Sequence, residues 1–324
     1  MEKLKVYENT ENEWEIAYEL FGNRESKNLI FMIHGGGMES HEKAPYLTEI
    51  TYEVTGKRAK TFEDMVQGNY ERLTESILKD NPDILICRID LRNHGESLVD
   101  GKMDTRNTSF PLLADDTAEV LRYIKTKYNI EQTQIVGTCM GCLVTEYMLT
   151  NPKNKDLSEN VSAVVFNSPL STQFLAFPTP NEKFNFSKYQ LLMNSPEGTQ
   201  FTKMKGVFDS KATLEELKER PNLHVEYASL NIPTQIFLGY GDRLLPYQRA
   251  KKLAMEMKKV NPNCEIIKVS RSPEKVIRKN NIIRKIISQD ANHCLYDPKS
   301  SYEFVSKSTK FLEDNLIAST EFSL

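Results

Sequence analysis

Cys139 stands in the run Gly137-Thr138-Cys139-Met140-Gly141, a G-x-C-x-G pattern. The residues before it, 133–136, read as the end of a buried strand, and those after it, 140–149, as the start of a helix. A chain that turns sharply from strand to helix needs small residues two before and two after the apex, because a side chain there strikes neighbouring backbone. The apex residue is then held in a strained conformation with its side chain exposed, at a helix N-terminus that favours negative charge. Serine is the usual residue at such an apex. A thiol there ionises more readily beside a histidine and is the better nucleophile.

A nucleophilic thiol needs a base for its proton, a carboxylate to orient that base, and N–H donors for the oxyanion that forms. The histidines are His34, His41, His94, His224 and His293. His293, in Gln289-Asp-Ala-Asn-His-Cys-Leu-Tyr296, follows the last core strand and is the candidate base. His34 opens a run of three glycines, and His94 lies in Asp90-Leu-Arg-Asn-His-Gly-Glu-Ser97; both read as loop-shaping. His41 and His224 read as surface residues. Asp242, in Gly239-Tyr-Gly-Asp242, lies just past a strand and is the candidate acid; the alternative is a cap for the helix that follows. Cys142 and Cys294 read as packing inward, with a resolving thiol as the alternative for Cys142.

Strand and helix patterns alternate along the chain. Strands are expected at 13–21, 28–33, 83–89, 133–136, 161–166, 233–239 and 264–269. Helices are expected at 62–78, 111–128, 140–149, 246–260 and 303–316. This rhythm indicates a mostly parallel sheet covered on both faces. Cys139, Asp242 and His293 then all follow strand C-terminal ends and face one crevice. The rhythm is lost from 170 to 230, a Phe-, Tyr- and Pro-rich stretch with one helical pattern at 213–220. So long a stretch without a strand reads as a cap. The division is therefore a core at 1–169 and 231–324, with a cap at 170–230. The basic segment 271–289 fits an amphipathic helix or an extra strand equally well.

The order nucleophile, acid, histidine is that of the α/β-hydrolases. The chain resembles that superfamily from about 13 to 316, on four landmarks in sequence. These are His34-Gly35-Gly36-Gly37 after a strand, Asp90-x-Arg92-x-His94-Gly95-x-Ser97, the elbow at Cys139, and Gly-x-Gly-Asp242 with His293. The resemblance implies an α/β-hydrolase fold with an inserted cap and an oxyanion hole formed by N–H groups of Gly36 or Gly37 and of Met140. Dienelactone hydrolases and polyhydroxyalkanoate synthases are similar in carrying G-x-C-x-G, and the likeness to them stops there.

Composition narrows the reading. The 324 residues suit one large α/β domain, and 42 basic against 45 acidic residues, net −3, give no excess for binding nucleic acid. No apolar run reaches membrane-spanning length. Five cysteines, an odd number without zinc spacing, and a beginning unlike a signal peptide point to a reducing, cytoplasmic setting. The expected function is acyl transfer through a thioester on Cys139. Hydrolysis of an ester, lactone or thioester is one form. Transfer to an amine, thiol or alcohol, from an acyl carrier protein or a coenzyme A thioester, is the other. A non-catalytic binding protein on this fold is the third reading. No metal or organic cofactor is implied.

Overall fold

The structure, a computed structural model, describes residues 1–8, 10–35, 68–98, 109–169, 219–220, 222–240, 242, 247–269, 276–279, 282–286, 295 and 298–320. Its strands are β1 (Glu2–Val6), β2 (Trp14–Gly22), β3 (Asn28–Ile33), β4 (Leu85–Ile89), β5 (Gln132–Thr138), β6 (Val161–Asn167), β7 (Thr234–Gly239) and β8 (Cys264–Val269). They form one sheet in the order β1-β2-β4-β3-β5-β6-β7-β8. The first two pairings are antiparallel and those from β4 to β8 are parallel. The described α-helices of six residues or more are α1 (Asn69–Asp80), α2 (Phe110–Tyr128), α3 (Met140–Thr150), α4 (Leu223–Ala228), α5 (Tyr247–Val260) and α6 (Pro298–Thr320). This is the α/β-hydrolase architecture that the landmarks implied. None of the described helices is long and apolar enough to cross a membrane.

The central strands read as near-continuous apolar runs because both faces of the sheet are covered. In β3 five of the six residues are buried, and in β4 all five are. Alternate residues feed two layers. Phe31, Ile33, Ile135 and Phe166 pack with Leu121, Leu143, Met148 and Tyr227 of α2, α3 and α4. Ile30, Met32, Val136 and Phe237 pack with Tyr70, Leu73, Phe304 and Leu312 of α1 and α6. Helix α2 has a clear start and stop. Ser109 caps it by accepting from the Leu112 N–H, Pro111 sits in the first turn, and Asn129 ends it in the left-handed region at φ 52°.

Three stretches differ from the sequence reading or refine it. Strand β1 is absent from the expected elements; its alternation runs over only five residues, and it forms by pairing with β2. The basic segment resolves into strands β9 (Val276–Lys279) and β10 (Ile282–Ile286), an antiparallel hairpin outside the main sheet. Residues 170–218 and 221, most of the expected cap, lie outside the described residues. From the end of that range, α4 sets Leu223, Tyr227 and Ala228 into the main apolar layer.

A buried polar clasp ties β2, β3, β4 and α2 together at the C-terminal end of β4. The Asp90 carboxylate accepts the Glu96 N–H, and a Cβ on Gly95, at φ 48°, would lie 2.3 Å from it. Ser97 Oγ donates to Asp90 O and accepts the Ala17 N–H, while Trp14 Nε1 donates to Ser97 O. Arg92, fully buried, makes a two-bond pair of 2.7 and 2.8 Å with Asp116 and lies 4.7 Å from the Trp14 ring. His34 Nε2 accepts the Leu91 N–H, so its Nδ1 carries the proton donated to Gly35 O. His94 Nδ1 meets Arg92 O at 2.8 Å, and the two imidazoles stand 5.0 Å apart.

The His34 contact needs a neutral imidazole, since Nε2 accepts. Burial pushes His34 down to about 4; burial, with the neighbouring His34, pushes His94 down to about 3. Both folded values lie below that of the unfolded chain. The stability they carry is therefore complete above about pH 6.5 and is lost as the pH falls toward the folded values. Asp116 acts with the opposite sign, because burial raises its carboxyl to about 6 against the pull of Arg92. A comparison between chains that differ only at residue 94 isolates the imidazole. In His94→Gln the loss of unfolding free energy between about pH 8 and pH 5 should shrink by about 2 kcal/mol. Urea unfolding measures it, and an unchanged pH dependence contradicts a buried neutral His94.

The second constraint lies where α3 leaves β5. A Cβ on Gly141 would sit 2.1 Å from Ile33 O and 2.8 Å from His34 O, and one on Gly137 would sit 2.9 Å from Gly141 O. All of these obstacles are backbone, which cannot swing aside. Gly141→Ala should cost about 3 kcal/mol or more in urea unfolding, as an overpacked site with no flexible neighbour does. A midpoint equal to the parent's contradicts the close approach.

Candidate active site

The parallel strands β3, β5, β6 and β7 end together, with Ile33 opposite Gly137, Thr138 opposite Asn167, and Asn167 opposite Phe237. Cys139 follows at once, with φ 52° and ψ −109°, a conformation that costs a non-glycine residue free energy and marks a sharp turn. Its N–H donates to Asn167 O at 2.8 Å. The chain then enters α3 at Met140. The expected strand–apex–helix elbow is present, and its apex is strained as expected. Its exposure is different: Cys139 is 7% exposed rather than open. β5 lies in mid-sheet, and β3 and β6 run alongside it to the same level.

Met140 is the first residue of α3, and the opening amides of a helix have no acceptor within it. With no acidic residue in the first turn, the helix presents its positive end to the apex undiminished. Further along, Glu146 is fully buried, and burial pushes its carboxyl well above the ordinary range, which favours the neutral form. That keeps a negative charge off the helix that carries the cysteine.

Asp242 lies just beyond β7 in a tight turn closed by its own N–H on Gly239 O at 3.3 Å. It is buried, at 7% exposure. Tyr240 N–H still pairs with Val269 O of β8, so Asp242 leaves the sheet at the C-terminal end, the same end as Cys139. Gly36, Gly37 and His293 lie outside the described residues, as do His41 and Cys294. Their described neighbours are well fixed. Gly35 O is held by His34, and Leu295 is fully buried with φ 59°. Leu295 O accepts from Asn69 Nδ2 at 3.5 Å.

Beside Asn69 stands a residue whose part in the site the sequence did not announce. Tyr70 is fully buried, and its hydroxyl reaches both Ile33 O, at 2.8 Å, and Val136 O, at 3.2 Å. It thus braces the ends of β3 and β5 immediately before the glycine loop and the elbow. Its signal in the sequence is no more than an apolar place on a helical face. Asn167 is another, since its carbonyl anchors the apex amide; Asn167-Ser168-Pro169 reads only as a strand stop.

The remaining candidates fall as follows. Cys142 packs inward, its Sγ 3.1 Å from Gly137 O and 3.6 Å from Asn167 O. His34 and His94 shape the loops around the elbow. His224 is corrected: it is 1% exposed, not a surface residue, and its Nε2 lies 3.1 Å from Glu256 Oε2. The apolar residues around it in α4 carry it into the core between α3 and α5. Burial lowers its pKa, partly offset by Glu256.

Comparison with known proteins agrees with this fold. No curated protein matches the chain. An esterase of Pyrococcus furiosus is similar in structure with a TM-score of 0.55 at 16% identity, covering 97% of this chain and 91% of that one. An esterase of Thermogutta terrifontis, solved with malate, gives 0.53 at 14% identity, covering 98% and 99%. Est1E of Butyrivibrio proteoclasticus, solved with ferulic acid, gives 0.57 at 12% identity, covering 94% and 96%. A model of the alpha/beta hydrolase fold matches residues 28–221, more than half of the chain and inclusive of the glycine loop, the clasp and the elbow. On that match the chain belongs to the alpha/beta hydrolase fold family.

Proposed function

We propose that the chain is an acyl-transfer enzyme with Cys139 as nucleophile, His293 as base and Asp242 as the carboxylate that orients it. The observation that carries this reading is the apex itself. A thiol stands at a positive φ, on the positive end of a helix, where two glycines are sterically required. Asp242 lies at the same end of the sheet, and so does Leu295, two residues past His293, through its contact with α1.

His293 takes the thiol proton as Sγ attacks the carbonyl carbon of an ester, lactone or thioester. N–H groups of Gly36, Gly37 and Met140 receive the oxyanion. The leaving group departs with the proton from His293, leaving a thioester on Cys139. Water, deprotonated by His293, attacks that thioester, and the acid leaves as the thiol re-forms. Two of the similar structures are esterases by name, which supports water as the acceptor. The Phe- and Tyr-rich segment 170–230 favours an apolar acyl group. No metal or organic cofactor enters the reaction, and the reducing cytoplasm is its setting.

The cysteine favours a second reading. A thioester reacts well with amines, thiols and activated alcohols, so the acceptor would be one of these and the donor an acyl carrier protein or coenzyme A thioester. The hairpin β9–β10, with Arg278, Lys279, Arg284 and Lys285 in its sequence, is then the contact for an acidic carrier.

Intact-protein mass spectrometry after incubation with short-chain p-nitrophenyl esters and an acyl thioester tests both. The expected result is one acyl adduct on the parent and none on Cys139→Ala. Decay of the adduct in water identifies a hydrolase, and persistence until an amine or thiol is added identifies a transferase. An adduct that survives in Cys139→Ala contradicts the nucleophile. His293→Ala and Asp242→Asn should each lower kcat by about 10²–10⁴-fold with the fold retained.

A further inference from the structure

We propose that Cys142 is the resolving thiol for Cys139, so that oxidation of the nucleophile by a hydroperoxide ends in a Cys139–Cys142 disulfide. The inference rests on the reactivity of Cys139 proposed above and adds a modification site to the elbow.

Cys139-Met-Gly-Cys142 is a C-x-x-C run, and the structure puts it across the N-terminus of α3. The Cys142 N–H donates to Cys139 O at 3.2 Å, so the run closes one tight turn. A turn closed by such a bond brings the Cα atoms of its first and fourth residues within about 7 Å, and a disulfide spans about 4.4–6.8 Å. The Cys142 side chain lies against the backbone that leads into the apex. Its Sγ lies 3.1 Å from Gly137 O and 3.6 Å from Asn167 O, and the same Asn167 O accepts the Cys139 N–H at 2.8 Å. S–H contacts of this kind are weak and yield to a change of rotamer. The bond needs the two side chains to turn toward each other across that turn. The other described cysteines are poor rivals. Burial pushes Cys87 well above the ordinary thiol range, and Cys264 up to about 11.

The steps balance. The Cys139 thiolate attacks one oxygen of the hydroperoxide, the O–O bond breaks, and a sulfenic acid results; the departing oxygen takes the proton that the thiol had given up and leaves as an alcohol (water, from hydrogen peroxide). Sulfur has lost two electrons and the peroxide has gained them. The Cys142 sulfur then attacks the Cys139 sulfur, the S–O bond breaks, and the departing hydroxide leaves as water with the Cys142 proton. A dithiol reductant restores both thiols. Without a neighbour, the sulfenic acid goes on to sulfinic acid, which thiols do not reverse.

The experiment treats the full chain with hydrogen peroxide, alkylates the remaining thiols and maps tryptic peptides. Both cysteines lie in the single peptide 128–153. The expected product is that peptide two hydrogens lighter and unalkylated, formed with loss of acylation and returned to full acylation by dithiothreitol. Cys142→Ser should instead gain oxygen at Cys139 and lose the reversibility. The proposal is overturned if Cys139 itself gains oxygen, located by fragmentation apart from Met140 and Met148, and the internal bond does not form. It is overturned equally if Cys139 cross-links to another peptide, or if peroxide leaves both thiols untouched. The parent digest decides this even if Cys142→Ser folds poorly. A disulfide formed in a chain that never takes an acyl group would retain this inference and remove the proposed function.

Discussion

The approach of α3 to the end of β3 is the contact on which the rest of the site depends. Gly141 meets Ile33 O and His34 O at a distance where even a methyl group has no room. The first turn of the helix is thereby pressed against the sheet. The chain between β5 and α3 has to reverse within one residue, and Cys139 absorbs the cost in its positive φ. Three consequences follow from one contact. The backbone of Cys139 is fixed, the residue stands at a helix N-terminus, and the amide of Met140 follows it. Each is what the proposed acyl chemistry asks of the elbow.

A second layer of constraint holds the partner loops. The clasp of Asp90, Arg92, Ser97 and Asp116 is buried and largely paired, in a region that hydrophobic residues could have filled. A buried charge pair adds little net stability, because desolvation offsets much of the attraction, but it fixes geometry. Here that geometry includes Leu91 N–H on His34, and through His34 the carbonyl of Gly35. Tyr70 does comparable work from the other face of the sheet, joining the ends of β3 and β5 with one hydroxyl. The site is therefore braced from both layers, by polar contacts placed where the strands run out and the ladder can no longer hold them.

Much of this is legible in the sequence. The elbow can be read because its signal is steric: two glycines flanking one nucleophile suit a turn too tight for any side chain. The parallel strands can be read because burial on both faces makes them continuous apolar runs. Asp242 can be placed at the end of a strand for the same reason. The burial of Cys139 is not legible, since the elbow pattern reports a backbone turn and says nothing of how far the neighbouring strands extend. His224 reads as a surface residue because it falls in the stretch expected to be a cap, whereas Leu223 and Tyr227 draw it inward. Strand β1 and the hairpin β9–β10 are unreadable or ambiguous because each is short and owes its form to a partner strand. The brace by Tyr70 has no sequence signal of its own, being a hydrogen bond across more than sixty residues.

The most direct single measurement of a working thiol–imidazole pair is the rate at which iodoacetamide alkylates Cys139 at neutral pH, in the parent and in His293→Ala. If His293 draws the proton from Cys139, alkylation of the parent is fast, slows by about tenfold or more in His293→Ala, and recovers when the pH is raised enough to ionise the thiol unaided. A rate that is the same with and without His293 would contradict the pairing, and with it the catalytic role given to the elbow.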